Sequence, residues 1–259
     1  MSAAGERRIE AALRAAASRG QPALVAYLTA GYPSREGFRD ALLSIAAEAD
    51  AVEIGVPFSD PMADGVTIQR ASEQALRAGV TLRWILEQLA ASPAAPAPLL
   101  LMSYLNPLLA YGLPRLAADA VRAGVGGFII PDLPYDESEP ARAILSAAGI
   151  ALVQMVTPVT PPDRLARVAA ASRGFVYAVT MTGTTGRSAG AAADLAGYLA
   201  RVRAAATVPV CAGFGIRTRA QVEALSGMVD GVVVGSALVE VLERGESARQ
   251  WLAALRRPA

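Results

Sequence analysis

Eight short apolar segments, each followed by a stretch with helical periodicity, constrain the fold of this chain more than any other feature of its sequence. The segments are rich in Val, Ile and Leu and lack alternating polar residues, which is typical of parallel strands buried on both faces. We predict strands at residues 23–30, 51–56, 98–103, 127–131, 151–157, 174–180, 208–212 and 231–234.

The stretches between these segments are amphipathic, and one more helix is predicted before the first strand. The predicted helices cover residues 6–17, 37–49, 113–123, 137–148, 162–171, 194–205 and 219–225. Eight strand–helix pairs in 259 residues match the size of a (β/α)8 barrel, an α/β fold of about 250 residues. The sequence therefore predicts a single TIM-barrel domain over residues 1–259 with an extra N-terminal helix. The main alternative is an open doubly wound sheet.

The reactive side chains that the sequence lacks exclude several mechanisms. The chain contains no His, its 24 basic residues are all Arg, and Cys211 is its one cysteine. Schiff-base and pyridoxal enzymes need a Lys amine, and Ser-His-Asp and Cys-His nucleophile systems need His. A zinc site cannot be built from one thiol, whereas an all-oxygen magnesium or calcium site stays open. Proton transfer must therefore use Asp, Glu, Tyr, Cys211, the backbone or water.

Charge and hydropathy patterning argue against nucleic-acid and membrane partners. The formal net charge is only +1, so the chain has no large positive charge that would attract nucleic acid or an anionic membrane. The apolar runs fall short of the roughly 20 residues that a membrane-spanning helix needs. A single cysteine fits a reducing compartment, and residues 1–9 lack the apolar core of a signal peptide. We therefore expect a cytoplasmic location.

Two isolated acidic residues flank the turn after the second predicted strand. Glu53 lies inside an apolar strand segment, and Asp64 follows the turn. Burying a charge is costly, so a carboxylate in an apolar strand usually has a function or a partner. Two carboxylates in different environments can hold different pKa values and act as acid and base. Alternatively, Glu53 could pair with a buried Arg, and Asp64 before Gly65 could be a turn residue.

Further polar residues fall at the predicted carboxyl ends of strands, where barrel enzymes hold their active sites. Asp132 ends the fourth strand and Tyr177 lies in the sixth. Thr185 and Gly186 follow the sixth strand in a long loop that we interpret as a lid. Alternatively, Asp132 could cap the following helix, and Tyr177 and Cys211 could be core residues.

Two glycine motifs after the last two predicted strands indicate a phosphate site. Gly213 and Gly215 follow the seventh strand, whereas Gly235 and Ser236 follow the eighth and open a short helical pattern. Glycine lets the backbone approach an anion, and a helix N-terminus presents free N–H groups. The Gly-x-Gly motif alone is common in such turns. The two motifs together occupy the usual phosphate position in barrels.

These motifs occur together in one known family, and the chain closely resembles the α subunits of tryptophan synthase almost from end to end. The resemblance is carried by residues 28–34, 53–65, 67–69, 101–104, 106–107, 130–134, 183–186, 213–215 and 235–237. The most specific element is Gly-Val-Pro-Phe-Ser-Asp-Pro at residues 55–61, with Glu53 and Asp64 on either side.

The resemblance implies a reaction and the residues that catalyse it. Members of this family cleave indole-3-glycerol phosphate to indole and glyceraldehyde 3-phosphate by a retro-aldol reaction in tryptophan biosynthesis, without a cofactor. By position, Glu53 would protonate indole C3 and then take the proton of the glycerol hydroxyl. Asp64 would accept the indole N–H, and Tyr177 would lie beside Glu53.

The resemblance also implies a set of binding residues and a partner. The substrate-binding set is Tyr27, Leu101, Ile129, Asp132, Thr185, Gly186, Gly213, Gly215, Gly235 and Ser236, of which the first three would wall the indole. Thr185 would hydrogen-bond Asp64 when the lid closes. Pro57, Asp60 and Pro61 would contact the β subunit in an α2β2 heterotetramer.

Four positions depart from the family pattern. Val66, Leu105, Thr184 and Arg187 stand where Pro, an aromatic residue, Val and Ala are common. Both flanking carboxylates are retained. Two alternatives stay open. One is a stand-alone lyase that releases free indole, which only the changed lid residues support; the other is an inactive barrel that serves as an allosteric binding subunit, against which the retained carboxylates argue.

Overall fold

Eight parallel strands close into a barrel in chain order in the computed structural model, which describes residues 4–180, 191–213 and 215–256. The strands are β1 Ala23–Thr29, β2 Ala51–Gly55, β3 Leu99–Met102, β4 Val125–Ile129, β5 Ala151–Val156, β6 Val176–Val179, β7 Val210–Gly213 and β8 Gly231–Val234. Because β1 pairs with both β2 and β8, the sheet has no open edge. The predicted barrel is confirmed, and the open-sheet alternative is wrong.

Helices surround the barrel in the described residues. They are α1 Ala4–Ala17, α2 Phe38–Ala46, α3 Val66–Arg77, α4 Leu82–Ala90, α5 Leu105–Tyr111, α6 Leu113–Arg122, α7 Glu139–Ala147, α8 Pro162–Ala171, α9 Ala191–Ala205, α10 Arg219–Ala224, α11 Ser236–Glu243 and α12 Ala248–Arg256. All seven predicted helices are present. Helix α11 occupies the short helical pattern predicted after the eighth strand, and four others, α3, α4, α5 and α12, lie outside the predicted stretches.

The strand register decides which side chains enter the barrel. Paired residues of neighbouring parallel strands face the same side, so the pairing of Tyr27 with Glu53 and of Glu53 with Leu100 places all three inside. The interior apolar cluster includes Val25, Ala51, Leu100, Ile129, Val153, Tyr177, Cys211 and Val233. The alternating strand residues, such as Val52 and Ile54, instead pack in the larger cluster between strands and helices.

Helix α1 closes the amino-terminal end of the barrel. Its side chains Ile9, Leu13 and Ala16 are buried within the interior cluster. A Cβ atom on Gly5 would lie 2.7 Å from the Cα of Gly126, so the missing side chain lets α1 lie directly against β4. Polar groups inside the barrel are therefore reached from its carboxyl-terminal end. No helix in the described ranges is long and apolar enough to cross a membrane.

Candidate functional site

Glu53 projects from β2 into the barrel and is almost completely buried. It is 1% exposed, and its buried Oε2 atom has no hydrogen-bond partner among the residues that the structure describes. No arginine in the described ranges forms an ion pair with it, so the structure gives no support to the alternative of a buried salt bridge. Burial, and secondarily the charge of Asp64, raises the pKa of Glu53 to about 8. At neutral pH this side chain is mainly a protonated acid.

Asp64 lies in the loop between β2 and α3, directly before the residue that caps α3. The Asp64 N–H donates to the carbonyl of Pro61 at 3.2 Å, and the Gln69 side chain donates to the Asp64 carbonyl at 2.9 Å. The predicted turn therefore exists, but the carboxylate itself is also buried. Burial raises the pKa of Asp64 to about 6, against the lowering effect of a hydrogen bond from Tyr104. The carboxylates thus differ in pKa, and Asp64 ionises first.

Tyr104 is a site residue that sequence reasoning missed. Its hydroxyl accepts a hydrogen bond from the Ala63 N–H at 2.8 Å and donates to the Asp64 carboxylate. Its ring stacks on Phe58 with the centroids 5.0 Å apart, so two loops share one aromatic contact. The available signal was its position directly after the third strand, where barrel enzymes place functional groups. Tyr104 both holds Asp64 in place and favours its ionised form.

Two buried tyrosines from opposite parts of the barrel share the interior with Glu53. Tyr27 pairs in register with Glu53. Burial is the largest cause of the raised pKa of both Tyr27 and Tyr177, and the negative charge of Glu53 raises both pKa values further. A Cβ atom on Gly55 would overlap the Tyr27 hydroxyl, and one on Gly213 would overlap that of Tyr177. These glycines make room for the hydroxyl groups. Tyr177 thus belongs both to the apolar core and to the surroundings of Glu53.

The structure places two of the three predicted indole-wall residues in the barrel interior. Tyr27 and Ile129 face inward, whereas Leu101 packs between the strands and the outer helices. The prediction for Leu101 is therefore wrong. Because Glu53 pairs with Leu100, it is Leu100 and then Met102 whose side chains enter the barrel, and Leu101 between them points out.

The two glycine motifs lie side by side at the carboxyl ends of β7 and β8. Gly213 is the last residue of β7, and Gly215 has φ +84°, a conformation that favours glycine. Gly235 precedes α11, and Ser236 is its first residue. Gly213 pairs with Val233 in β8, so the structure brings both motifs together as predicted. The predicted positions Thr185 and Gly186, together with Thr184, Arg187 and Phe214, lie outside the described residues.

Asp132 caps a helix, although not the one that follows it. Its Oδ1 atom accepts a hydrogen bond from the Leu105 N–H at 2.8 Å, at the first residue of α5. The contact joins the loop after β4 to the loop after β3 and fixes the helix start beside Tyr104. The structure therefore gives Asp132 a role in orienting the residues around Asp64.

The loop from β2 to α3 also forms an apolar surface beside the site. Pro61 is partly exposed, Met62 is 83% exposed and Val66 is 77% exposed. The Ser59 hydroxyl donates to the Asp60 carboxylate at 2.5 Å, which holds the turn. Apolar side chains exposed next to one another are typical of a surface that binds a partner. Among the described residues, no group of three or more Asp, Glu, Cys or His side chains could hold a metal ion.

Comparisons with known proteins agree with this geometry. The family model described as "Tryptophan synthase alpha chain" matches residues 13–257. The tryptophan synthase alpha chain of Nitratidesulfovibrio vulgaris strain DP4 is 48% identical over 249 residues, which cover 95% of this chain and 97% of that protein. The protein of the same name from Bacillus cereus is 42% identical over 233 residues, with coverage of 89% and 90%.

Solved structures show the same fold. A chain of Mycobacterium tuberculosis tryptophan synthase superposes with a TM-score of 0.88 at 35% identity, and each chain is covered completely. Tryptophan synthase subunit alpha from Legionella pneumophila strain Paris gives a TM-score of 0.84 at 30% identity, covering 96% of this chain and 95% of that chain.

The raised pKa of Glu53 makes the stability of the fold depend on pH. Glu53 titrates near 4.5 when solvated and at about 8 in the fold, so between these values the folded state holds a proton that the unfolded chain releases. The free energy of unfolding therefore falls as the pH rises. Between pH 5 and pH 8 we expect the wild type to lose about 2–4 kcal/mol more than Glu53→Gln, from about 1.4 kcal/mol per pKa unit. Urea unfolding at both pH values tests this, and parallel pH profiles would contradict it.

Removal of the Tyr104 hydroxyl should make Asp64 harder to ionise. In Tyr104→Phe the hydrogen bond that favours the Asp64 carboxylate is lost, so the pKa of Asp64 should rise above 6 by about one unit. Carbon-13 NMR titration of the carboxyl carbons measures this shift. Tyr111→Phe is the matched control, because it removes a hydroxyl that donates to a different carboxylate, that of the partly buried Asp119. An Asp64 midpoint that is equal in both variants would show that Tyr104 has no such effect.

Proposed function

The chain belongs to the tryptophan synthase alpha chain family, and we propose that its buried carboxylates Glu53 and Asp64 carry out the family's reaction. The enzyme is a lyase that cleaves indole-3-glycerol phosphate to indole and glyceraldehyde 3-phosphate without a cofactor. The observation that carries the assignment of residues is the pair of buried carboxyl groups, whose pKa values of about 8 and about 6 lie on either side of neutrality.

Glu53 acts first as an acid and then as a base. The bond between indole C3 and the glycerol chain cannot break while the ring is aromatic, so Glu53 donates its proton to C3. The hydroxyl on the adjacent carbon then gives its proton to the Glu53 carboxylate as the carbon–carbon bond opens and a carbonyl forms. The bonding electrons return to the ring, which leaves indole and an aldehyde and restores protonated Glu53. A side chain with a pKa of about 8 suits both transfers.

Asp64 stabilises the positive charge that appears on the indole nitrogen after C3 is protonated. Its lower pKa of about 6 leaves it mainly ionised at neutral pH, when Glu53 still holds a proton. A fixed carboxylate in a water-poor site stabilises such a charge more than bulk water does. Tyr104 holds Asp64 in this form, and Tyr177 shapes the apolar surroundings that keep Glu53 protonated.

The other end of the substrate is the phosphate, and we assign it to the start of α11 and the glycine loop after β7. The N–H groups around Gly235 and Ser236 and the positive end of the helix dipole favour an anion there. Gly213 and Gly215 allow the backbone to come close to it. The indole packs against Tyr27, Ile129, Leu100 and Met102. Thr185 and Gly186 remain predictions from the family resemblance.

The apolar loop after β2 supports the proposal of a protein partner. Asp60 is exposed and Pro61 partly exposed in this loop, whereas Pro57 is buried and does not offer its side chain to a partner. The exposed Met62 side chain would be covered by a second protein. We propose a tryptophan synthase β subunit in an α2β2 heterotetramer, which takes up the indole. A single domain over residues 1–259 and a cytoplasmic location complete the proposal.

Substitution of either carboxylate should strongly reduce turnover while phosphate binding persists. We expect kcat to fall about 10²–10⁴-fold in Glu53→Gln, which loses the proton donor. In Asp64→Asn we expect a loss of about 10²–10³-fold, because an electrostatic stabiliser is removed. Indole release measures turnover, and calorimetry with glycerol 3-phosphate measures binding. The exposed Glu87→Gln serves as the control and should behave as the wild type. Full activity of Glu53→Gln would refute the mechanism.

Addition of a tryptophan synthase β subunit should accelerate indole release. The partner covers the exposed loop that leads into Asp64, so its binding should order this loop and raise the rate severalfold. Indole formation from indole-3-glycerol phosphate is measured with and without the β subunit, and Met62→Asp serves to disrupt the contact. Fast release that is indifferent to the β subunit would identify a stand-alone lyase. No release under either condition would favour the inactive binding subunit.

A further inference from the structure

A carboxylate outside the active centre links its own helix to two other segments of the chain. Arg217, in the loop between β7 and α10, forms a two-point ion pair with Glu240 of α11, with one of its contacts at 3.3 Å. Thr67, in the first turn of α3, donates its hydroxyl to Oε1 of the same carboxylate at 3.3 Å. Glu240 thus joins a loop and two helices that are distant in sequence.

Each of these segments lies close in sequence to a residue that the proposed function uses. Arg217 lies two positions after Gly215, and Glu240 lies one helical turn after Ser236, so both belong to the phosphate end of the site. Thr67 lies three positions after Asp64, at the indole end. The Glu240 carboxylate therefore joins the structural elements that hold the two ends of one substrate.

The contacts of Glu240 with Arg217 and with Thr67 are the two arms of this network, and further hydrogen bonds support each arm close to the site. The Arg217 N–H donates to the Gln221 side chain at 2.8 Å, and Gln221 completes a capping box with Thr218 at the start of α10. On the α3 side, Gln69 donates to the Asp64 carbonyl at 2.9 Å. A shift at Glu240 would therefore be transmitted to both ends instead of being absorbed by loose loops.

The network contributes little to the stability of the fold. The Arg217 and Glu240 side chains are 51% and 25% exposed, and such partly solvated pairs contribute only about 0–1 kcal/mol. The Arg217 guanidinium keeps the pKa of Glu240 below its usual range, so the carboxylate is charged at neutral pH and holds both partners. The contribution of the network is then geometric more than energetic.

We propose that Glu240 is a positioning residue that sets the spacing between the phosphate-binding start of α11 and Asp64. The inference rests on the proposed function, because a substrate with an indole and a phosphate must reach both ends at once. A misplacement of about 1 Å at a reacting group can cost about 10²-fold in rate. The two arms have separate tasks: Arg217 positions the phosphate end, and Thr67 positions Asp64.

The two arms can be separated by measuring binding and turnover in single variants. In Glu240→Ala we expect the dissociation constant for glycerol 3-phosphate to rise and kcat to fall, each about tenfold, which is a typical size for coupling through packed networks. Arg217→Ala should weaken glycerol 3-phosphate binding with kcat within about twofold of the wild type, and Thr67→Val should show the reverse. Glu240→Gln keeps an oxygen acceptor and should recover most of both losses.

The matched control is Glu246→Gln. Glu246 pairs with Arg244 just after α11, and both side chains are 51% exposed, but neither contacts α3 or the loop after β7 through this pair. It should leave both constants unchanged. A Glu240→Ala variant that behaves like this control would overturn the inference, as would identical profiles for Arg217→Ala and Thr67→Val.

The proposed function can fail separately from this inference. A wild-type chain that binds glycerol 3-phosphate but releases no indole, even with a β subunit, would overturn the cleavage reaction alone. The dissociation constants of the Glu240 and Arg217 variants would then still decide whether the network positions α11. A wild-type chain that binds neither glycerol 3-phosphate nor inorganic phosphate would overturn the inference.

Discussion

The structure depends on keeping one ionisable carboxyl group, Glu53, inside an apolar barrel. An unpaired carboxylate would be very costly there, so burial shifts the equilibrium toward the neutral acid, with a pKa of about 8. The cost of burial and the chemical use of the group thus have the same physical origin. A partner arginine would have lowered the pKa and removed the acid. The absence of an ion pair at Glu53 within the described ranges is therefore part of how the site works.

Strand register and small residues arrange the other groups around this acid. The in-register neighbour Tyr27 faces the same side as Glu53, and Gly55 and Gly213 leave the volume that the two tyrosine hydroxyls occupy. At the carboxyl-terminal rim of the barrel, contacts between loops position the side chains. Asp132 fixes the start of α5, and Tyr104 at that start holds the Asp64 carboxylate. The barrel sets the depth of Glu53, and the loops set the position of Asp64.

The sequence predicted the barrel because its strands are uniformly apolar. For the same reason, the sequence does not indicate which strand residues face the barrel interior. Residues 99–101 are three leucines in a row, so no alternation indicates which of them faces inward; the pairing of Leu100 with Glu53 in β2 decides it. Helix α3 escaped prediction because its buried face consists of Ala71, Ser72 and Ala75, which give a weak apolar period. The carboxylates were found because a charge in an apolar strand is conspicuous, whereas the contact of Tyr104 depends on two loops meeting in space.

The closure of the barrel by α1 also has a consequence for the order in which the chain folds. This helix precedes all eight strands in the chain, yet some of the groups it docks against lie far along the sequence, since the Glu6 N–H bonds to the carbonyl of Gly149 and Gly5 lies against Gly126. The contacts of α1 with Gly126 and Gly149 can form only after the segments up to β5 are available, whereas its packing against β1 and β2 involves nearby sequence. Contacts of such long range slow folding and leave an intermediate exposed to aggregation. The helix that seals the finished barrel therefore completes its packing late in assembly.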